Sequence, residues 1–218
     1  AVLVADVDAA GEPDLAVDDH DLAVIAQVHR LQRQQPRGQE EHDLGPRLAA
    51  LPGIATVQTD LAVPVTLDLP GLAEPASGLV RSLPDFGAPE LNRLFLRRGA
   101  WLAPGVRGEV LVGEAFAKAN ALNPGDPLAM LLNGRRQTFR IAGIVLSPEY
   151  IFESRPGAAL PDSRTYGIFW MTYKEVATAW NLYGAFNHVA VTLAPGASTP
   201  AVIAGLDRLL RPYGGLGA

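Results

Sequence analysis

The sequence predicts an α+β fold in which an α/β opening and an α/β tail enclose a β-rich middle. Three observations carry this. An Asn133-Gly134 pair lies inside "GDPLAMLLNGRRQTFRIAGIVLSPEY" (125–150), with alternating residues on both sides. From residue 167 onward, strand-like and helix-like patterns alternate twice. Residues 70–108 are cut by proline and glycine into short pieces.

The 218 residues, 48% of them hydrophobic, suffice for one large domain or two small ones with a real core. A net charge of −5 speaks against nucleic-acid binding, which needs a basic face for phosphates. It speaks more weakly against a surface that binds anionic lipid. With no cysteine there is neither a disulfide framework nor a thiolate zinc site. No apolar run approaches the roughly 18–20 residues of a membrane-spanning helix. The opening "AVLVADVDAAGEPD" lacks the basic and then long apolar regions of a secretory signal. The missing initiator Met and the final "YGGLGA" are those expected of a piece of a longer protein.

Residues 1–43 stand apart by composition, with His20, His29, His42 and most of the glutamines. Leu22, Ile25, Val28 and Leu31 recur at helical spacing and predict a helix capped by Asp21. "RQQPRGQEEHD" (33–43) then reads as loop or disorder. Leu44, Leu48 and Leu51 stripe a short helix that "LPG" (51–53) ends. "IATVQTDLAVPVTLDL" (54–69) alternates and is rich in β-branched residues, so it predicts one long strand or two short ones. Pro64 marks a bend or an edge, since it has no N–H for a ladder. Short strands follow around Leu79–Leu83 and Leu94–Leu96.

In "GEVLVGEAFAKANALNPGD" (108–126), Val110, Leu111 and Val112 make a strand. Phe116, Ala119 and Leu122 give the next helix its apolar face, and Asn123-Pro124-Gly125 stops it. The Asn133-Gly134 turn supplies positive φ for a two-residue hairpin. It sets Leu132 opposite Arg135, Met130 opposite Gln137 and Leu128 opposite Phe139. "GIFWM" (167–171) is a strand. Thr172 and Glu175 predict a capping box for the helix that runs to about Trp180, with Met171 and Val176 as its staple. "FNHVAVTL" (186–193) is another strand. Ser198 begins a last helix with Val202, Ile203, Leu206, Leu209 and Leu210 on one face.

Catalytic and cofactor motifs are scarce. His20 and His29 lack metal-ligand spacing, and His188 reads as a surface or rim histidine. Neither a dinucleotide fingerprint, a phosphate-binding loop nor a nucleophile-elbow serine occurs, so no cofactor is expected. Glu149, Glu153 and Asp162 cluster in "SPEYIFESRPGAALPDSR" (147–164). Paired acids could serve a hydrolase, but Arg155 and Arg164 in the same segment favour an ion-paired polar loop. Aromatic residues beside arginine are typical of protein contacts. Residues 147–166 are therefore the candidate interaction loop, with Glu149, Tyr150, Phe152, Arg155 and Tyr166 as its contact residues.

Taken in order, several stretches resemble one family. "LAALPGIATVQT" (48–59), "RRGAWLAPGVRGEVLVGEAFAKANALNPGDPL" (97–128), "FRIAGIVLSPEYIF" (139–152) and "AFNHVAVTLAPGAS" (185–198) are similar to the extracytoplasmic domain of MacB/FtsX/LolC-type ABC transporter permeases. The resemblance covers about residues 44–218. It implies a porter-like α/β subdomain (44–69 and 165–218) interrupted by a β-rich, sabre-like insertion (70–164). The domain would sit on the periplasmic side of the bacterial inner membrane, between the first and second membrane helices. It would be non-catalytic, with ATP hydrolysed by a separate cytoplasmic ATPase subunit. A second permease copy and a periplasmic partner, or a lipid, lipoprotein or peptide substrate, are implied as well. The alternatives are a soluble periplasmic binding module and a hydrolase that uses the acids of 147–164.

Overall fold

The computed structural model describes residues 2–3, 23–28, 44–69, 71–72, 74–150, 162–213 and 215–217. In chain order the elements are β1 (Val2–Leu3), β2 (Ala23–Val28), α1 (Leu44–Ala49), β3 (Ile54–Asp60), β4 (Ala62–Asp68), β5 (Ala76–Leu83), β6 (Phe95–Gly99), β7 (Glu109–Gly113), α2 (Glu114–Ala119), β8 (Pro127–Leu132), β9 (Arg135–Leu146), β10 (Tyr166–Thr172), α3 (Tyr173–Trp180), β11 (His188–Leu193), α4 (Thr199–Leu210) and β12 (Gly215–Gly217). The chain divides into two units, 1–59 with 184–218, and 60–183. The family resemblance implies boundaries at 69/70 and 164/165 instead. The structure keeps β4 and β10 with the middle of the chain, because both pair with β5.

The split unit holds a sheet in the order β1-β2-β11-β3, with β12 also on β2. The helix expected around residues 22–31 is instead strand β2. Its Ala23–Gln27 stretch pairs antiparallel with β11, from Ala23↔Thr192 to Gln27↔His188. Helical spacing and β-branched content (Val24, Ile25, Val28) compete in this segment, and an available partner strand decides between them. Leu44 and Leu48 of α1 and Val202, Leu206 and Leu210 of α4 close the core over Val189 and Val191. Gly53, at φ +89°, lets α4 approach closely: a Cβ there would lie 2.9 Å from Val202 Cγ2.

The contiguous unit is a closed sheet. Among the described residues, β9 pairs with β7, β7 with β10, β10 with β5, β5 with β4, β4 with β8, and β8 again with β9, so the strands close into a ring. Closure is possible because β9 is long. Its first half meets β8 and its second half meets β6. The hairpin register is the expected one: Leu132↔Arg135, Met130↔Gln137, Leu128↔Phe139. Pro64 pairs with Leu79 of β5, whereas β8 covers only Thr66–Asp68 on the other side of β4, so the proline stands at a local edge.

Alternation along these strands makes two cores. Val63, Val65, Val80, Val110, Val112, Leu128, Met130, Ile141, Phe169 and Met171 fill the inside. Leu111, Val145, Ile168 and Trp170 point outward and pack with Leu94, Leu79 and Tyr150. Inside, Phe116 of α2 meets Phe169 edge-on at 5.1 Å. Gly167 makes that room, since a Cβ there would lie 2.5 Å from Phe116 Cγ.

The start of α3 departs from the expected capping box. Thr172 is the N-cap but makes no side-chain cap bond. Asp85 Oδ1 instead accepts from Lys174 N at 2.8 Å, and Glu175 Oε1 accepts from Gly108 N at 2.8 Å. A tertiary carboxylate has taken the place of the local cap. Met171 and Val176 are both buried, as a staple requires. Ser198 likewise precedes α4 without a side-chain cap bond.

Candidate functional site

Arg81 is the single charge in "GLVRSL" (78–83). It shares the outward face of β5 with Leu79 and Leu83 and stands beside Trp170 in the parallel β10 register. It is nevertheless only 3% exposed. A buried cation must be paired, and this one is paired on every side. Its Nε donates to Asp60 Oδ1 at 3.1 Å and its Nη2 to Asp60 Oδ2 at 2.6 Å, the two-pronged geometry a guanidinium favours. Its Nη1 donates to Glu149 Oε1 at 2.6 Å and to the Tyr150 hydroxyl. Asn92 Nδ2 donates to Glu149 Oε2 at 2.9 Å. The Tyr150 ring meets Trp170 edge-on at 6.3 Å.

Burial works against the Arg81 charge, but Asp60, Tyr150 and Glu149 outweigh it and hold its pKa well above the ordinary value. Burial also pushes the Tyr150 hydroxyl well up, more than the Arg81 charge pulls it down. Tyr150 is therefore neutral throughout the physiological range. The cluster ties together the end of β3, the middle of β5 and the turn that leaves β9. Both carboxylates are engaged with Arg81, so the arrangement fixes chain segments in place.

This corrects the expectation for part of the interaction loop. Glu149 and Tyr150 turn inward onto Arg81. Tyr166 is 8% exposed and packs in the outer cluster that also contains Tyr150. Phe152, Arg155 and Glu153 lie outside the described residues, as do His20, His29 and His42. Asp162 has partners of its own. Its carboxylate accepts from Arg164 N and from Thr165 Oγ1, shaping the turn into β10. His188 is 2% exposed, not a rim residue, because β11 is an interior strand with β2 on one side and β3 on the other.

Sequence reasoning missed Arg81, Asp60 and Asn92. The available signal was a charge in phase with Leu79 and Leu83 on one strand face. Such a position demands a buried partner.

A second feature is a groove of about 520 Å³ at the start of α3. Asp85, Phe86, Val106, Arg107, Lys174 and Glu175 are among its lining residues. Phe86 is 80% exposed there. Burial raises the Glu175 pKa above the ordinary carboxylate value, against the opposing pull of the Gly108 N–H and Arg107. Among the described residues, no helix is long and apolar enough to cross a membrane.

The sequence matches no protein-family model, and no curated protein matches it. The fold is similar to that of solved structures. One is the extracellular domain of the noncanonic ABC-type transporter YknZ from Gram-positive bacteria: 11% identity, 90% of this chain and 99% of that chain covered, TM-score 0.52. Another is the periplasmic region of MacB from Actinobacillus actinomycetemcomitans: 15% identity, 88% and 83% covered, TM-score 0.49. The YknZ likeness shows the fold, an α+β architecture shared with the extracytoplasmic part of an ABC-type transporter.

Proposed function

We propose that this chain is a non-catalytic extracytoplasmic domain of an ABC transporter permease, relaying ATP-driven movement to a substrate or a periplasmic partner. The observation that carries the reading is the shared fold over nearly the whole of both chains in the YknZ comparison. The motor would be a separate cytoplasmic ATPase subunit, reached through membrane helices outside this sequence, and a second permease copy would complete the transporter. The interaction loop at 147–166 leaves β9 from a fixed root, because Arg81 holds Glu149 and Tyr150. A loop that passes movement to a partner needs a rigid base of this kind, and Phe152 and Arg155 follow directly after it.

The coding sequence on either side tests the reading. It predicts an apolar stretch of about 20 residues before and after this segment, each long enough to span a bilayer, with an ATPase gene alongside. A signal peptide upstream and a stop codon soon after "GGLGA", with no such stretch on either side, would replace it with a soluble module.

A further inference from the structure

Among the described residues of the contiguous unit, β6 is the strand that stands outside the closed ring. Among the described residues it pairs with β9 alone, so its other edge offers backbone N–H and C=O groups to an added strand. Its surface is unusual for an edge. Phe95 lies directly opposite Leu146, and the two are 61% and 42% exposed. Both side chains face away from Leu96 and Val145, which pack in the outer core.

Farther along the same face, Arg98 lies opposite Ile144. Both line a groove of about 370 Å³ against α2, whose charged lining residues are Arg98, Lys118 and Glu114. Arg97 Nε adds a contact to Glu114 at 3.2 Å, and Arg98 Nη2 donates to Asn123 Oδ1 at 2.8 Å. Arg93, Arg97 and Arg98 are all exposed. In a chain of net charge −5, this edge is locally basic.

We infer that the β6 edge binds an extended, acidic segment of a partner protein by strand addition, with an apolar residue on the Phe95–Leu146 pair and carboxylates facing Arg97, Arg98 and Lys118. The charges select this occupant over a second copy of the chain. Two β6 edges brought together would set arginine against arginine, the arrangement that keeps sheet edges from self-pairing. An acidic strand meets the opposite condition. The inference deepens the relay reading by naming a surface and a class of partner. Its test uses the chain alone, so it succeeds or fails independently of whether membrane helices flank the segment.

The test is fluorescence anisotropy of short labelled peptides titrated with the 218-residue chain. The probes are a Glu/Val peptide of repeating Glu-Glu-Val-Val, which sets both residue types on each face of a strand, a Lys/Val peptide of the same pattern, and the Glu/Val peptide N-methylated at alternate residues. The Glu/Val peptide is expected to bind and to slow amide exchange across Phe95–Gly99. Arg98→Glu is expected to weaken it by about tenfold or more, as loss and reversal of a facing charge would. The Lys/Val and N-methylated peptides should not bind. Both Arg98 and Phe95 are exposed, so Arg98→Glu and Phe95→Ser leave the core intact, and an unchanged circular dichroism spectrum verifies this. The inference is overturned by absence of Glu/Val binding, by equal binding of either control peptide, or by binding indifferent to Arg98→Glu. It is also overturned if the peptide-free chain sediments as a dimer that Arg98→Glu dissociates, which would give the edge to a second copy.

Discussion

The contiguous unit and the split unit are held together in different ways. Residues 60–183 close a sheet on itself, and each neighbouring strand arrives within a run of one chain segment. The other unit joins residues 1–59 to 184–218, and its sheet depends on β11 meeting β2 from far along the sequence. The first unit carries a buried ionic cluster at the root of a loop. In the second, the described core is aliphatic, closed by α1 and α4. A polar tie thus fixes the point where a chain segment leaves the closed sheet, and packing of α1 and α4 on β11 joins the two ends of the chain.

Four substitutions test this difference between the units. Arg81→Met has the largest expected effect. It leaves Asp60 and Glu149 buried without their cation, at a cost of about 3–5 kcal/mol. Hydrogen exchange should show lost protection in β5 and β10 with β2 and β11 unchanged. Equal loss in both units would mean that they unfold as one. Leu206→Ala is the mirror experiment. It opens a cavity in the split unit at a cost of about 2–5 kcal/mol, and its exchange pattern should be the reverse of that for Arg81→Met. Asp85→Ala removes the carboxylate that caps Lys174 N, worth about 1 kcal/mol. Denaturant unfolding followed in the contiguous unit would detect it, and a null result would return the capping role to Thr172.

Glu175→Gln has the smallest effect, below about 0.5 kcal/mol for a half-exposed group. Its sign is the informative part. Because the folded-state pKa of Glu175 is raised, the unfolded chain releases that proton first as pH rises. The stability tied to the protonated carboxyl is full below the ordinary carboxylate pKa and is lost as pH climbs through the folded value. The glutamine variant keeps an acceptor for Gly108 N without the charge. It should therefore match wild type in acid and exceed it at neutral pH. A variant less stable than wild type at neutral pH would show that the charge itself is needed there.

The comparison also accounts for what the sequence revealed. The hairpin register followed from Asn133-Gly134 and simple alternation, because turn and strands are neighbours in the chain. The β7–α2 and β10–α3 pairs were legible for the same reason. Strand β2 was not, because its longest pairing is with β11, some 160 residues away, and its own spacing fits a helix equally well. The capping box failed in a similar way. Thr172 and Glu175 have the right spacing, but Asp85 and Gly108 reach the site first. At the candidate site, Glu149 and Tyr150 were singled out as surface contacts. The direction these side chains take is set by Arg81 from another strand, which their own segment does not reveal.

The proposed placement of this domain outside the cytoplasmic membrane can be tested in intact cells. These 218 residues contain no cysteine, so, with any cysteine elsewhere in the full-length protein replaced, one introduced thiol reports on this domain alone. Tyr183→Cys replaces a side chain that is 63% exposed. In the full-length protein, a membrane-impermeant maleimide added to intact cells, with the outer membrane permeabilised if there is one, is predicted to label this cysteine as completely as after lysis. Labelling only after lysis would place the domain in the cytoplasm and rule out the extracytoplasmic role.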